Sequence, residues 1–261
     1  MASPGTFKWP ALLVVMRHAQ SEANLHRERL ERADSPETHV HIATRDVDVP
    51  LTDEGRRQAT ETGRDLASRH ESFDAVYVSP YRRTRDTAAL VVAALAPPPP
   101  LIIEERVRER EFGVLEGLTR RGVRELHPQE VERKLKVGKY YYRPPGGESY
   151  PDVNLRVHSF LGTLVREHAA QRILVVTHSV VVLSFRRLLE RLDEDKVLDL
   201  DRHDEPKNAS LSIYESESGA VGGSGLRLLE WNRIHWTAAA GEAGRASEVT
   251  TDERHDRPVR G

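Results

Sequence analysis

The chain has 261 residues and not one cysteine. Disulfide staples, thiolate metal sites and a cysteine nucleophile are therefore excluded. No apolar run approaches the ~18 residues of a membrane span, so no membrane partner is expected. Residues 1–10 (MASPGTFKWP) lack the basic start and apolar stretch of a secretory signal, and a cytoplasmic location is expected. An excess of one charge sign is also missing: 39 basic residues face 41 acidic ones, a net charge of −2. Nucleic-acid binders usually carry a clear basic surplus, so no nucleic-acid partner is expected. A small anionic partner stays open, because local charge decides that. There is no internal repeat, and nothing in the sequence bears on oligomeric state.

Hydrophobic residues make up 38% and charged residues 31%, enough for a sizeable core. Short β-branched runs alternate with helical patterns. Ala11–Met16, Asp74–Ser79, Leu101–Glu104 and Arg172–Thr177 read as buried strands; Leu211–Glu215 and Leu226–Trp231 read as later edge strands. Helices are expected from Thr52, a capping residue followed by Asp53 and Glu54, to about His70, and near 81–95, 123–136, 149–170 and 179–192. Near-continuous apolar strands between helices indicate a mostly parallel sheet covered on both faces. Residues 25–50 are polar and aperiodic and read as an insertion loop. Four prolines at 97–100 make a stiff connector. Residues 237–261 have few large apolar side chains and are expected to be a disordered tail.

Open parallel sheets put ligand sites outside the carboxyl ends of their strands. The residues just past each strand are therefore informative. Arg17 and His18 come after the first; Pro80, Tyr81, Arg82 and Arg83 come after the second. Arg106, Val107, Arg108 and Glu109 stand soon after the third, and His178 after the fourth. Two histidines, arginines and a glutamate thus converge on one sheet edge. Arginine presents a donor fork matched to phosphate or carboxylate oxygens. A neutral histidine nitrogen can attack phosphorus. A carboxylic acid can protonate a departing alkoxide and then deprotonate water. A second histidine, if protonated, adds positive charge where phosphoryl oxygens gather it. The set reads as phosphoryl transfer through a phosphohistidine. A rival reading makes His18, His178 and a carboxylate a metal triad, although Arg17 and Arg82 would then set positive charge against the cation.

Leu13–Asn24 (LVVMRHAQSEAN) resembles the Arg-His-Gly-x-Ser-x-x-Asn signature of the histidine phosphatase superfamily, the phosphoglycerate mutase-like fold. LTDEGRRQA (51–59), SPYRRTRDTA (79–88), RVREREFGVLEG (106–117) and VVTHS (175–179) keep the family's order and spacing, and the resemblance covers about residues 11–236. It implies an α/β three-layer sandwich with a mostly parallel central sheet and helices on both faces. It implies catalytic roles for His18 as phosphorylated nucleophile, Arg17 and Arg82 as phosphate ligands, Glu109 as proton donor and His178 as second histidine. Ser21 and Asn24 fall in the phosphate loop as substrate-binding residues. Glu111 stands at an alternate position to Glu109, and the resemblance alone chooses between them; Glu105 and Glu116 are further alternatives. No metal and no organic cofactor are implied.

The sequence departs from the family at Ala19 and Ser179, where glycine is usual. Lys139–Tyr150 (KYYYRPPGGESY) is similar to a stretch of the fructose-2,6-bisphosphatase branch, which implies substrate contacts for Lys139 and Tyr150. The arginines expected near 135 and 182 are Leu135 and Val182, so a second phosphate would lose two partners. Arg110 and Arg120 are candidates for gripping the distal part of a substrate. The expected organisation is a tail over 1–10, one domain over 11–236 with cap insertions near 25–50 and 118–148, and the tail over 237–261. The expected activity is hydrolysis of small phosphomonoesters, with phosphoglycerate mutase the first alternative and a non-catalytic regulatory scaffold the second.

Overall fold

Strand β1 (Leu12–Arg17) has both faces covered, and Leu12 to Met16 are all buried. Side chains alternate across a strand, so its residues divide between two cores. Leu13 and Val15 join Ala75, Tyr77, Ile173 and Val175 on one side, while Leu12, Val14 and Met16 join Val76, Val78, Leu174 and Val176 on the other. A computed structural model describes residues 8–32, 35–40, 42–69, 72–216 and 225–237. The chain runs from β1 through α1 (Glu22–Arg32), α2 (Asp53–Arg69), β2 (Ala75–Val78), α3 (Arg82–Val92) and β3 (Leu101–Ile103). Then come α4 (Arg120–Leu126), α5 (Pro128–Val137), α6 (Tyr150–Glu167), β4 (Arg172–Thr177), α7 (Ser179–Leu189), α8 (Glu194–His203), β5 (Leu211–Ser216) and β6 (Leu226–Arg233). The sheet order is β3-β2-β4-β1-β5-β6. The first four strands are parallel, and β5 and β6 add antiparallel pairs. The architecture is the expected α/β three-layer sandwich, with a mostly parallel sheet and helices on both faces.

Helices α6 and α7 supply Val153, Phe160, Val181 and Phe185 to the first core; α2 and α3 supply Ala59, Leu66, Ala88 and Val91 to the second. Thr52 caps α2 as its sequence suggests, its hydroxyl accepting from the Gly55 amide at 2.9 Å. The same hydroxyl donates to the Gln20 side chain at 2.8 Å, tying the helix start to the loop after β1. Gly55 packs so closely there that a Cβ would stand 2.0 Å from the Gln20 carbonyl oxygen.

Several expectations need correction. Residues 25–32 belong to helix α1 rather than to a loop; the helix buries no residue, so no apolar stripe marks it. The helix expected over 123–136 is two helices. Thr119 caps α4 by accepting from the Gly122 amide, and Pro128, which lacks an N–H, opens α5. Helix α8 went unread because it buries only Val197 and Leu200. Strand β3 is the sheet's outer strand, and all three of its residues are exposed, not buried. Residues 1–7 of the expected N-terminal tail and 238–261 of the expected disordered tail lie outside the described residues. The two cap segments touch: the Val40 amide donates to the Gly117 carbonyl and the Thr119 amide to the Thr38 carbonyl.

Candidate active site

Register brings the histidines together. Strands β1 and β4 pair in parallel with Arg17 opposite Thr177, so the next residues, His18 and His178, emerge side by side. Their ring centroids are 5.2 Å apart at 64°. The His18 amide donates to the Thr177 carbonyl at 2.8 Å, fixing this juncture. The chain leaves β1 toward α2 on one face of the sheet and β4 toward α7 on the other. The two exits diverge and open a crevice between them, where α/β sheets bind ligands.

His18 is buried, and its Nδ1 lies 2.8 Å from the Ala19 carbonyl oxygen. That bond puts the proton on Nδ1 and leaves the Nε2 lone pair free. Burial, then the Arg83 and Arg17 guanidinium groups, hold the His18 pKa well below its usual value. The imidazole is neutral and nucleophilic at neutral pH. The Ala19 methyl, which stands where glycine is usual, is fully buried in the core between sheet, α2 and α3.

His178 is fully buried, with Nε2 2.8 Å from the Ser79 hydroxyl. The Tyr81 amide donates to the same hydroxyl at 3.4 Å, which holds Ser79 in place beside the ring. Burial, then Arg83, His18, Arg156 and Arg17, lower its pKa strongly. It is thus a neutral imidazole rather than the cation considered from sequence. Its Nδ1 has no hydrogen-bond partner among the described residues, and neither does the buried Arg17 Nε.

Glu109 brings Oε2 to 3.5 Å from His178 Nδ1. Its other oxygen accepts from the Arg110 amide at 2.8 Å. Burial raises its pKa, against the opposing pull of Arg83, that amide and Arg17, so it tends to hold a proton as a general acid must. Its segment is fastened to the sheet by Thr177, whose hydroxyl donates to the Val107 carbonyl at 2.7 Å, and to α6 by Arg156, which donates to the Glu109 carbonyl at 3.2 Å. Glu111 is removed from the centre: it pairs with Arg108 at 3.4 Å, and its side chain is 42% exposed.

The arginine assignment changes. Arg82 opens α3 with its side chain 45% exposed, 3.5 Å from Asp86. Arg83, one position on, turns inward; its side chain is 5% exposed and stacks over the Tyr81 ring at 4.7 Å. Burial aside, it is the strongest influence on the titration of both histidines. Arg83, not Arg82, stands with Arg17 at the centre. Both cations face acids that the sequence does not single out. Arg83 donates from Nη1 and Nη2 to the Asp46 carboxylate at 3.0 and 3.1 Å, and Arg17 reaches Glu205 at 3.3 Å. Ser179 also donates to Glu205, at 3.0 Å.

Ser21 and Asn24 brace the loop. The Asn24 carbonyl oxygen accepts from the Ser21 amide and hydroxyl, and Asn208 bridges it to the His18 carbonyl. Lys139 pairs with Asp201 and lines a neighbouring cleft of about 410 Å³. Tyr150 is buried and stacked on Tyr140 at 5.6 Å, and it is not among the residues lining that cleft. Among the described residues no group of His, Asp or Glu side chains is arranged to hold a metal ion. None of their helices is long and apolar enough to cross a membrane.

The chain is 33% identical over 192 residues to a 2,3-bisphosphoglycerate-dependent phosphoglycerate mutase of Methylobacterium radiotolerans, covering 72% of this chain and 84% of the relative. Its fold matches a putative alpha-ribazole-5'-P phosphatase of Escherichia coli with a TM-score of 0.68 at 22% identity, covering 88% of this chain and 100% of that one. It also matches a mycobacterial glucosyl-3-phosphoglycerate phosphatase solved with inorganic phosphate, with a TM-score of 0.64 at 21% identity, covering 87% and 100% of the two chains. The family model for the histidine phosphatase superfamily (branch 1) matches residues 13–232, and the chain belongs to that superfamily.

Proposed function

We propose that the protein is a phosphatase that hydrolyses small phosphomonoesters through a phosphohistidine on His18. The observation that carries this is the pair of buried nitrogens without a hydrogen-bond partner among the described residues, Arg17 Nε and His178 Nδ1, beside a neutral His18. Leaving a buried donor unsatisfied costs about 1–3 kcal/mol, and a phosphoryl group would satisfy both. In this reading His18 Nε2 attacks phosphorus in line and the P–O ester bond breaks. Glu109 gives its proton to the departing oxygen, then takes one from the water that cleaves the P–N bond. Arg17, Arg83 and His178 hold the phosphoryl oxygens throughout. Every step is met by this chain's own side chains, so the reading requires neither a metal nor an organic cofactor.

Phosphoglycerate mutase is the second reading, favoured by the curated relatives. A mutase must return the phosphoryl group to a sugar-acid oxygen and exclude water. The cleft of about 410 Å³ that Arg110, the residue after Glu109, helps to line is far larger than a three-carbon acid fills, which supports hydrolysis. The test is to incubate the purified protein with chelator and a phosphomonoester panel that includes 3-phosphoglycerate. Release of inorganic phosphate is expected. Formation of 2-phosphoglycerate without release would contradict the hydrolytic reading.

A further inference from the structure

Arg110 is a buried cation without an anion. It follows Glu109 directly and is 7% exposed. Nε donates to the Glu148 carbonyl at 2.7 Å and Nη2 to the Tyr142 carbonyl at 3.3 Å. The guanidinium lies 5.2 Å from the Phe112 ring centre and 5.1 Å from that of Tyr150. Two carbonyls and two ring faces fix its orientation and leave its charge in place. No carboxylate among the described residues is in ion-pair contact with it, and Nη1 has no hydrogen-bond partner among them. Burying a charge unpaired is costly. Burial indeed pushes its pKa down.

Arg110 also lines a cleft of about 410 Å³, and Glu116 on the wall of that cleft is within electrostatic reach of Arg83. The cleft wall is largely apolar, and six basic side chains line it against two carboxylates, Glu116 and Glu130. Glu130 is already engaged by the Tyr142 hydroxyl at 2.9 Å and by Arg133 at 3.3 Å. Lys139 is held by Asp201. The positions where the bisphosphatase branch would carry arginines offer nothing: Leu135 is exposed and Val182 is packed in the core.

We infer that this cleft is the leaving-group subsite, and that Arg110 Nη1 selects phosphomonoesters whose alcohol part is an apolar body ending in a second anion. Arg110 follows Glu109 in the chain and donates its amide to that carboxylate, so the cleft that Arg110 lines adjoins the proton donor. The wall and its anchor define the substrate class: apolar in the middle, carboxylate or phosphate at the far end. As a leaving-group site it rests on the phosphatase reading above.

The test uses linear alkyl monophosphates of increasing length, ended by methyl, carboxylate or phosphonate. At one chain length the anion-ended ester should exceed its methyl-ended partner in kcat/KM by roughly 10- to 100-fold, the worth of a hydrogen bond to a charged group. The gain should lie in KM. Arg110→Gln should abolish the ratio between the two esters, and Arg110→Lys should keep part of it. A merely structural role would lower both esters together and leave the ratio intact. Carboxylate against phosphonate identifies which anion the subsite takes. Calorimetry with analogues whose ester oxygen is replaced by methylene reads binding alone. Hydrolysis of the methyl series without anion preference at any length would overturn the subsite and spare the phosphatase reading. Anion preference in binding with no member hydrolysed would sink the phosphatase reading and leave the anion subsite standing.

Discussion

Single side chains decide the chemistry. Arg83 is buried within electrostatic reach of both histidines, whereas Arg82 is half exposed beside Asp86. Arg83→Ala should therefore lower kcat/KM by about 10²–10³, the loss typical of one preorganised electrostatic donor. Arg82→Ala should stay within a few-fold of wild type, as is usual for an exposed charge. Steady-state kinetics on one phosphomonoester separates the two, and the reverse ranking would return the role to Arg82. Glu205 gives a second test at this scale. It occupies Arg17 in the ligand-free site and is 53% exposed. Glu205→Gln should tighten inhibition by inorganic phosphate up to about fivefold, the strength of an exposed ion pair. The two histidines and Arg17 were legible in the sequence because strand ends advertise them. Adjacent arginines at the first turn of a helix were not, since which one points inward depends on where the helix begins. Asp46 and Glu205 reach the site only through tertiary contacts, and no local pattern announces them.

Elements were readable where they share an apolar face with the core. The strands that line both cores stood out as continuous β-branched runs, and α2 by its capping threonine followed by two acidic residues. Helix α1 has no such face, and α8 has only two buried residues. The placement of α2 also sets the site. Its first turn lies against the Gln20 backbone, two residues beyond His18, and a methyl on Gly55 would stand 2.0 Å from the Gln20 carbonyl oxygen. Backbone cannot yield there as a flexible side chain could. Gly55→Ala should destabilise by about 1–3 kcal/mol, as overpacking does, and lower activity by shifting the loop. Denaturant titration and kinetics on the same variant would check both. Unchanged values for each would mean that the loop is not braced by α2.

The whole molecule carries a pH dependence written by two buried histidines. His18 and His178 have folded pKa values well below the 6.5 of an exposed imidazole. Between those values and 6.5 the unfolded chain binds more protons than the native one, so stability rises with pH across that interval. It is fully present above 6.5 and is lost as pH falls below it. The urea midpoint of ligand-free protein should therefore drop on acidification through that range, and His178→Gln should flatten the drop. A midpoint independent of pH there would contradict the buried neutral pair. The fold class was legible at this scale because alternating strands and helices admit few packings. The cleft that receives the leaving group was not, since it forms from residues 27 to 144 only once the chain is folded.

The central claim is that His18 carries the phosphoryl group. Rapid quench of the protein with a labelled good-leaving-group ester, and then peptide mapping under alkaline conditions, measures it directly. An acid-labile phosphate on the His18 peptide, lost in His18→Ala and accumulating in Glu109→Gln, is the result the account predicts. Label on another residue, or turnover with a full complement of active His18→Ala protein, would contradict it.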